Sequence, residues 1–149
     1  MSLILAIDPG TTQSGWCIFD NKKVISAGVH DNAEMLRTIV QVRDFDWTLA
    51  IEMVASYGMP VGREVFETVR WIGRFQQAWR DPEAVRFVYR KDVKIHLCGS
   101  MKAKDANIRQ ALIDKLGPVG TKAAPGPLYG VKSHAWAAVA VAVTAAAAN

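Results

Sequence analysis

Two acidic residues stand where a hydrolytic site would need them. Asp8 closes an apolar run that starts at Leu3, just before Pro9 and Gly10, and Glu52 interrupts the apolar run 49–54. A carboxylate among apolar neighbours has to be paired or metal-bound, because an isolated buried charge is too costly. Ligand sites in open α/β sheets gather beyond the carboxyl ends of parallel strands. If the two acids end neighbouring strands, those backbones lie about 4.8 Å apart. Both side chains could then grip one hard divalent cation, Mg²⁺ or Mn²⁺, which oxygen ligands favour. A plainer alternative is that Asp8 opens a β-turn, as Asp before Pro-Gly often does, and that Glu52 is a solvated strand end.

Positioning these residues takes a sheet. Residues 3–8 read as a buried strand ended by a turn, and 15–20 and 23–29 as two more strands joined at Asp20-Asn21-Lys22. Three strands in succession predict an antiparallel meander. Ala33, Leu36, Ile39 and Val40 have helical spacing, with Asp31 or Asn32 as N-cap. Residues 49–53 form a fourth strand. A long amphipathic helix follows over 61–80, with Val65, Val69, Ile72 and Trp79 as its apolar stripe and Arg63, Arg70 and Arg74 elsewhere. Asp81-Pro82 ends it. Residues 84–89 are a fifth strand, 105–116 a helix stopped by Gly117-Pro118, 117–130 a loop rich in glycine and proline, and 132–148 the last helix. The order β-β-β-α-β-α-β-α-α predicts a three-layer α/β fold with a mixed sheet. With no repeat and no linker, one domain is expected over 1–149.

The bulk properties admit a polyanion partner without demanding one. The 149 residues carry a net charge of +4, and half of them are hydrophobic. Lys91, Lys94, Lys102, Lys104 and Arg109 cluster ahead of the last helix, with Lys122 and Lys132 beyond. Each alone reads as solvated surface. As a group they suit DNA, whose phosphates such side chains position without reading sequence. Cys17 and Cys98 form neither a metal pattern nor a disulfide framework, as expected of reduced thiols in a cytoplasmic protein. The N-terminal apolar run is short and has no basic leader, so no signal peptide is expected. The alanine-rich run 135–148 falls short of the roughly 20 residues of a membrane span. The five tryptophans fit core or interface positions better than base stacking.

LAIDPGTTQSGWCIFD resembles the first strand, turn and second strand of RuvC-type Holliday-junction resolvases, within the RNase H-like superfamily. LAIEMV is similar to their second acidic strand, RWIGRFQQAW to the glycine-containing helix after it, and SHAWAAVAVAV to their last helix. HLCGSMKAKDANIRQALIDKLG resembles the basic segment and helix before that, in the form of phage-borne members. The likeness spans nearly the whole chain in order. It implies an RNase H-like three-layer fold with a five-stranded sheet of order 3-2-1-4-5.

By position, the resemblance puts Asp8 and Glu52 in the first two acidic slots and His134 where the family has Asp or His. It implies metal binding by these three. Ala137 stands where the family usually has an Asp, a departure that weakens a second metal site. Asp105 is a candidate substitute; equally, it is an acid favoured at a helix N-terminus by the dipole. The implied reaction is in-line attack of water on a phosphodiester, leaving 5′-phosphate ends. One metal activates the water and another stabilises the leaving oxygen. Asp8 would bridge the metals, and His134 would bind one or shuttle a proton. Tyr57 and Met59, after Glu52, lie where an aromatic or apolar side chain can wedge into a junction, or anchor the loop in the core. Two matched nicks call for a two-fold homodimer, with the helix 61–80 as its contact surface. Two rivals remain. A non-catalytic junction binder on this fold would explain Ala137. IDPGTTQSG also resembles the phosphate loop of actin-like ATPases, although those need two domains closing over nucleotide.

Overall fold

A computed structural model describes residues 2–148; Met1 and Asn149, the ends of the domain expected over 1–149, lie outside the described residues. Five strands form one mixed sheet of order β3-β2-β1-β4-β5. They are β1 (Ile4–Asp8), β2 (Gln13–Phe19), β3 (Val24–Asp31), β4 (Thr48–Met53) and β5 (Arg86–Tyr89). The first three pair antiparallel, and β4 and β5 run parallel to β1. Helices α1 (Asn32–Val42) and α2 (Arg63–Ala78) cover one face, and α5 (Ala135–Ala147) lies on the other, with α3 (Arg90–Cys98) and α4 (Asp105–Leu116) beside it. This is the three-layer arrangement expected, with the expected strand order.

Alternation along the strands decides which residues reach which layer. Leu5, Ile7, Leu49 and Ile51 point to the α1/α2 side, among Met35, Ile39, Ile72, Phe75 and Trp79. Ile4, Ala6, Cys17, Phe19 and Ala50 point to the α5 side. Asp8 continues the Ile4–Ala6 series and Glu52 follows Ala50, so both acids belong to the α5 face. The α5 helix meets that face with alanines and valines, eight of which are buried. Such small side chains let a helix lie close to a sheet at full packing density.

Three details differ from the sequence reading, and one open alternative is decided. The nine-residue helix α3 was not expected, because its apolar pattern is thin and only Val93 is buried. It is started by Asp92, whose carboxylate accepts from the Tyr89 backbone N–H at 3.2 Å, and stopped by Gly99 at φ 69°. On α2 the inward stripe runs through Thr68, Ile72, Phe75 and Trp79, while Val69 faces solvent beside Phe66. The last helix begins at Ala135 and not at 132, because Ser133 takes a left-handed φ of 51°. Of the two N-cap candidates for α1, Asp31 caps by accepting from the Glu34 N–H at 2.8 Å. Among the described residues no helix is long and apolar enough to cross a membrane.

Candidate active site

The site forms where three neighbouring strands end. Register sets Ile7 beside Ile51, so the next residues, Asp8 and Glu52, stand side by side on the same face. Their side chains are only 16% and 13% exposed. Burial raises both pKa values. For Glu52 the hydrogen bond and charge of Asp8 add to it, pushing its pKa to about 8. Burial and the neighbouring acid thus both favour the protonated form of Glu52. Two acids set side by side, each holding on to its proton, are a place where a cation can take the proton's role.

The turn after Asp8 is pinned from below. The buried Ser14 hydroxyl donates to Asn32 Oδ1 at 2.6 Å, the Asn32 amide donates to the Gly10 carbonyl at 2.9 Å, and the Asn32 backbone N–H donates to the Thr12 carbonyl at 2.9 Å. Asn32 thus anchors this loop, which frees the capping role for Asp31.

His134, at the start of α5, places Nδ1 3.5 Å from Asp8 Oδ2. Gly15 makes that approach possible. It pairs with Asp8 across β1 and β2, and a β-carbon on it would lie 2.2 Å from the His134 carbonyl oxygen. The far end of α5 is held by Arg86, whose guanidinium donates to the Ala145 carbonyl at 3.3 Å.

An open cleft of about 720 Å³ extends from the two acids between α3, α4 and the start of α5. Lys94, Lys102, Lys104 and Arg109 line it, together with Trp136 and Ala137. Lys91, Lys132 and Tyr57 are exposed but lie outside its lining. Tyr57 is 61% exposed and its neighbour Met59 more so, which removes the alternative that they anchor their loop in the core. Asp105 lines the cleft, but its carboxylate pairs with Arg90 and is not turned to Asp8 and Glu52. Among the described residues no three His, Cys, Asp or Glu side chains are gathered as a ready-made metal cage.

The sequence reading missed Arg90, Gly15 and Asn32. Arg90 follows β5 directly, and one terminal nitrogen lies 4.0 Å from Glu52 Oε1 while the other meets Asp105. Its position at the carboxyl end of a strand, next to where Asp8 and Glu52 stand on theirs, was the available signal. Gly15 had one too, as a glycine inside a strand, where close backbone approach is a common reason.

The sheet order, the layers and an acid pair at the ends of β1 and β4 define an RNase H-like fold. Among solved structures, this chain is similar to those of RuvC. Thermus thermophilus RuvC superposes with a TM-score of 0.73 at 19% identity, covering 98% of this chain and 95% of that one. T. thermophilus RuvC in complex with Holliday junction substrate gives 0.70 at 21% identity, covering 97% and 92%. At these identities the likeness is one of fold. No protein-family model matches the chain, and no curated protein matches it.

Proposed function

We propose that this protein is a divalent-metal-dependent endonuclease that cuts four-way or branched DNA junctions. One observation carries the reading: two mostly buried carboxylates stand side by side at the ends of adjacent parallel strands, at the floor of a cleft rimmed by basic side chains. The fold likeness to RuvC, one structure of which holds a Holliday junction, supports the substrate class.

The donors fit a hard cation, since oxygen ligands and one imidazole suit Mg²⁺ or Mn²⁺. Asp8 and Glu52 would hold it, with His134 beside them. Bound there, the ion would lower the pKa of a water molecule and neutralise charge on the phosphate. The chain's residues do the rest. To hold the ion, Asp8 and Glu52 would both have to be ionised. His134, open to the cleft on one side and to Asp8 on the other, is placed to pass a proton between attacking water and solvent. Lys94, Lys102, Lys104 and Arg109 hold strand phosphates along the rim.

Paired nicks need two such sites related by two-fold symmetry, and we place the dimer contact on α2. Phe66 and Val69 are exposed on its outer face, and a side chain at Gly73 would meet open space. Sedimentation should show a dimer for the wild type and a monomer for F66E.

The decisive assay is nicking of a four-way junction with Mg²⁺ or Mn²⁺, with Asp8→Asn as control. Cutting by that variant at the wild-type rate would remove the assigned site. Junction binding by the wild type with no cutting under any divalent ion would favour the second reading, a non-catalytic junction binder. That reading draws on Ala137, which offers no ligand, and on the positive charge of Arg90 near Glu52.

A further inference from the structure

Three strand ends in a row carry ionisable side chains at the cleft floor: Asp8 on β1, Glu52 on β4 and Arg90 just past β5. Arg90 is the one whose role the acid pair does not explain. Its terminal nitrogen stops 4.0 Å from Glu52, an ion-pair distance without a hydrogen bond. Its only side-chain hydrogen bond among the described residues is to Asp105, a carboxylate 88% exposed. A guanidinium has five N–H donors, so most of those on Arg90 have no partner among the described residues, in a side chain that lines the cleft. An ion pair with so exposed a partner is weak and readily exchanged for a better anion. The cleft's other arginine is engaged differently: the Arg109 guanidinium lies over the Trp136 ring, 4.7 Å from its centroid. Ala137, across the cleft on the first turn of α5, supplies no ligand, so charge on a phosphate above the acids must be met partly by a side chain.

We propose that Arg90 is a catalytic residue: it grips the reacting phosphate above Asp8 and Glu52, and Asp105 holds it ready until DNA arrives. This rests on the nuclease reading. The planar fork matches two phosphate oxygens at once, which a lysine cannot do. As the phosphate arrives, Arg90 exchanges Asp105 for it, and the charge that builds on the phosphate meets a fixed positive group.

Three measurements test this. In single-turnover cutting at saturating junction, Arg90→Gln should be about 100-fold slower. Arg90→Lys should recover part of the loss, and Asp105→Asn should slow cutting less than tenfold. Titration of Mn²⁺ by electron paramagnetic resonance, without DNA, should show binding to R90Q at least as tight as to the wild type, because a positive charge beside Glu52 has gone. In EDTA, phosphates around the branch point are replaced one at a time by uncharged methylphosphonate. One replacement should weaken wild-type binding and leave R90Q binding unchanged.

Looser Mn²⁺ binding by R90Q would make Arg90 a prop for Glu52 and overturn the proposal. So would D105N cutting as slowly as R90Q, or a methylphosphonate penalty that is the same in both proteins. A wild type that binds junctions but never cuts them ends the nuclease reading and the catalytic role with it, while the methylphosphonate comparison still decides the phosphate contact.

Discussion

The floor and the rim of the cleft are built on opposite plans. The floor is two short carboxylates on adjacent strands, buried, locked in register and costly to hold together. The rim is long cationic side chains on α3, α4 and the segment between them, mostly in solvent. Bond-breaking needs reacting groups held to a fraction of an ångström, which neighbouring strands supply. Holding a branched polyanion needs charge over a wide area and some give, which lysines on helix surfaces supply. The difference predicts where mutations act: the floor on rate, the rim on affinity.

The sharpest way to break this contrast is Asp8→Asn. It should slow junction cutting by at least about 10³-fold while binding stays within about threefold, as catalytic groups that act as a unit fail together. Gel-shift and cleavage assays on one junction would check it; equal losses in both would erase the distinction. Next in size is Gly15→Ala. The new methyl meets the His134 carbonyl and pushes α5 away from Asp8. Cutting should fall by roughly 100-fold, the cost of misplacing a group by about 1 Å, and stability by about 1–3 kcal/mol from overpacking.

The cost of the floor can be read from pH. Glu52 keeps its proton to about pH 8 in the folded chain, against 4.5 for an ordinary glutamate. Between these values the folded state binds more protons than the unfolded state. Stability of the metal-free protein should therefore fall as pH rises through that window and level off above it. Denaturant titrations in EDTA should show Glu52→Gln without that slope and, at pH 8, more stable than the wild type by roughly 1–3 kcal/mol. Smallest are the rim effects. Lys94→Ala or Lys102→Ala should each weaken junction binding by about 2–10-fold and lower the salt dependence by about one ion, with the rate recovered at saturating DNA.

The floor was legible in the sequence for the same reason that it is costly. An acid at the end of, or inside, an apolar run is conspicuous, so Asp8 and Glu52 could be found from pattern alone. The strand order and His134 needed the family resemblance, since spacing does not say which strands become neighbours. The rim was half legible. Its lysines were visible as a cluster, but α3 was not, because Val93 alone anchors its nine residues and binary pattern had little to report. Without α3, Arg90 had no place, and Asp105 was left open between a substitute ligand and a helix N-terminal acid, its pairing with Arg90 out of sight. The shifted stripe on α2 has a simple cause: Val69 and Phe66 are apolar but face out, while Thr68 is polar and faces in. Gly15 shows the limit of one sequence, because what it accommodates lies far along the chain.

The helix α5 follows every strand in the sequence, yet it fills the core beneath one whole face of the sheet. A nascent chain that has emerged only as far as α4 has all its strands and both acids but leaves that face bare. Contacts so distant in sequence form late. On the nuclease reading the chain would be unable to cut until α5 docks and brings His134 with it, so that assembly itself works as a safety catch. Ribosome-arrested chains halted before Val131 should be protease-sensitive and inert toward junctions, and chains released past Ala147 resistant and active.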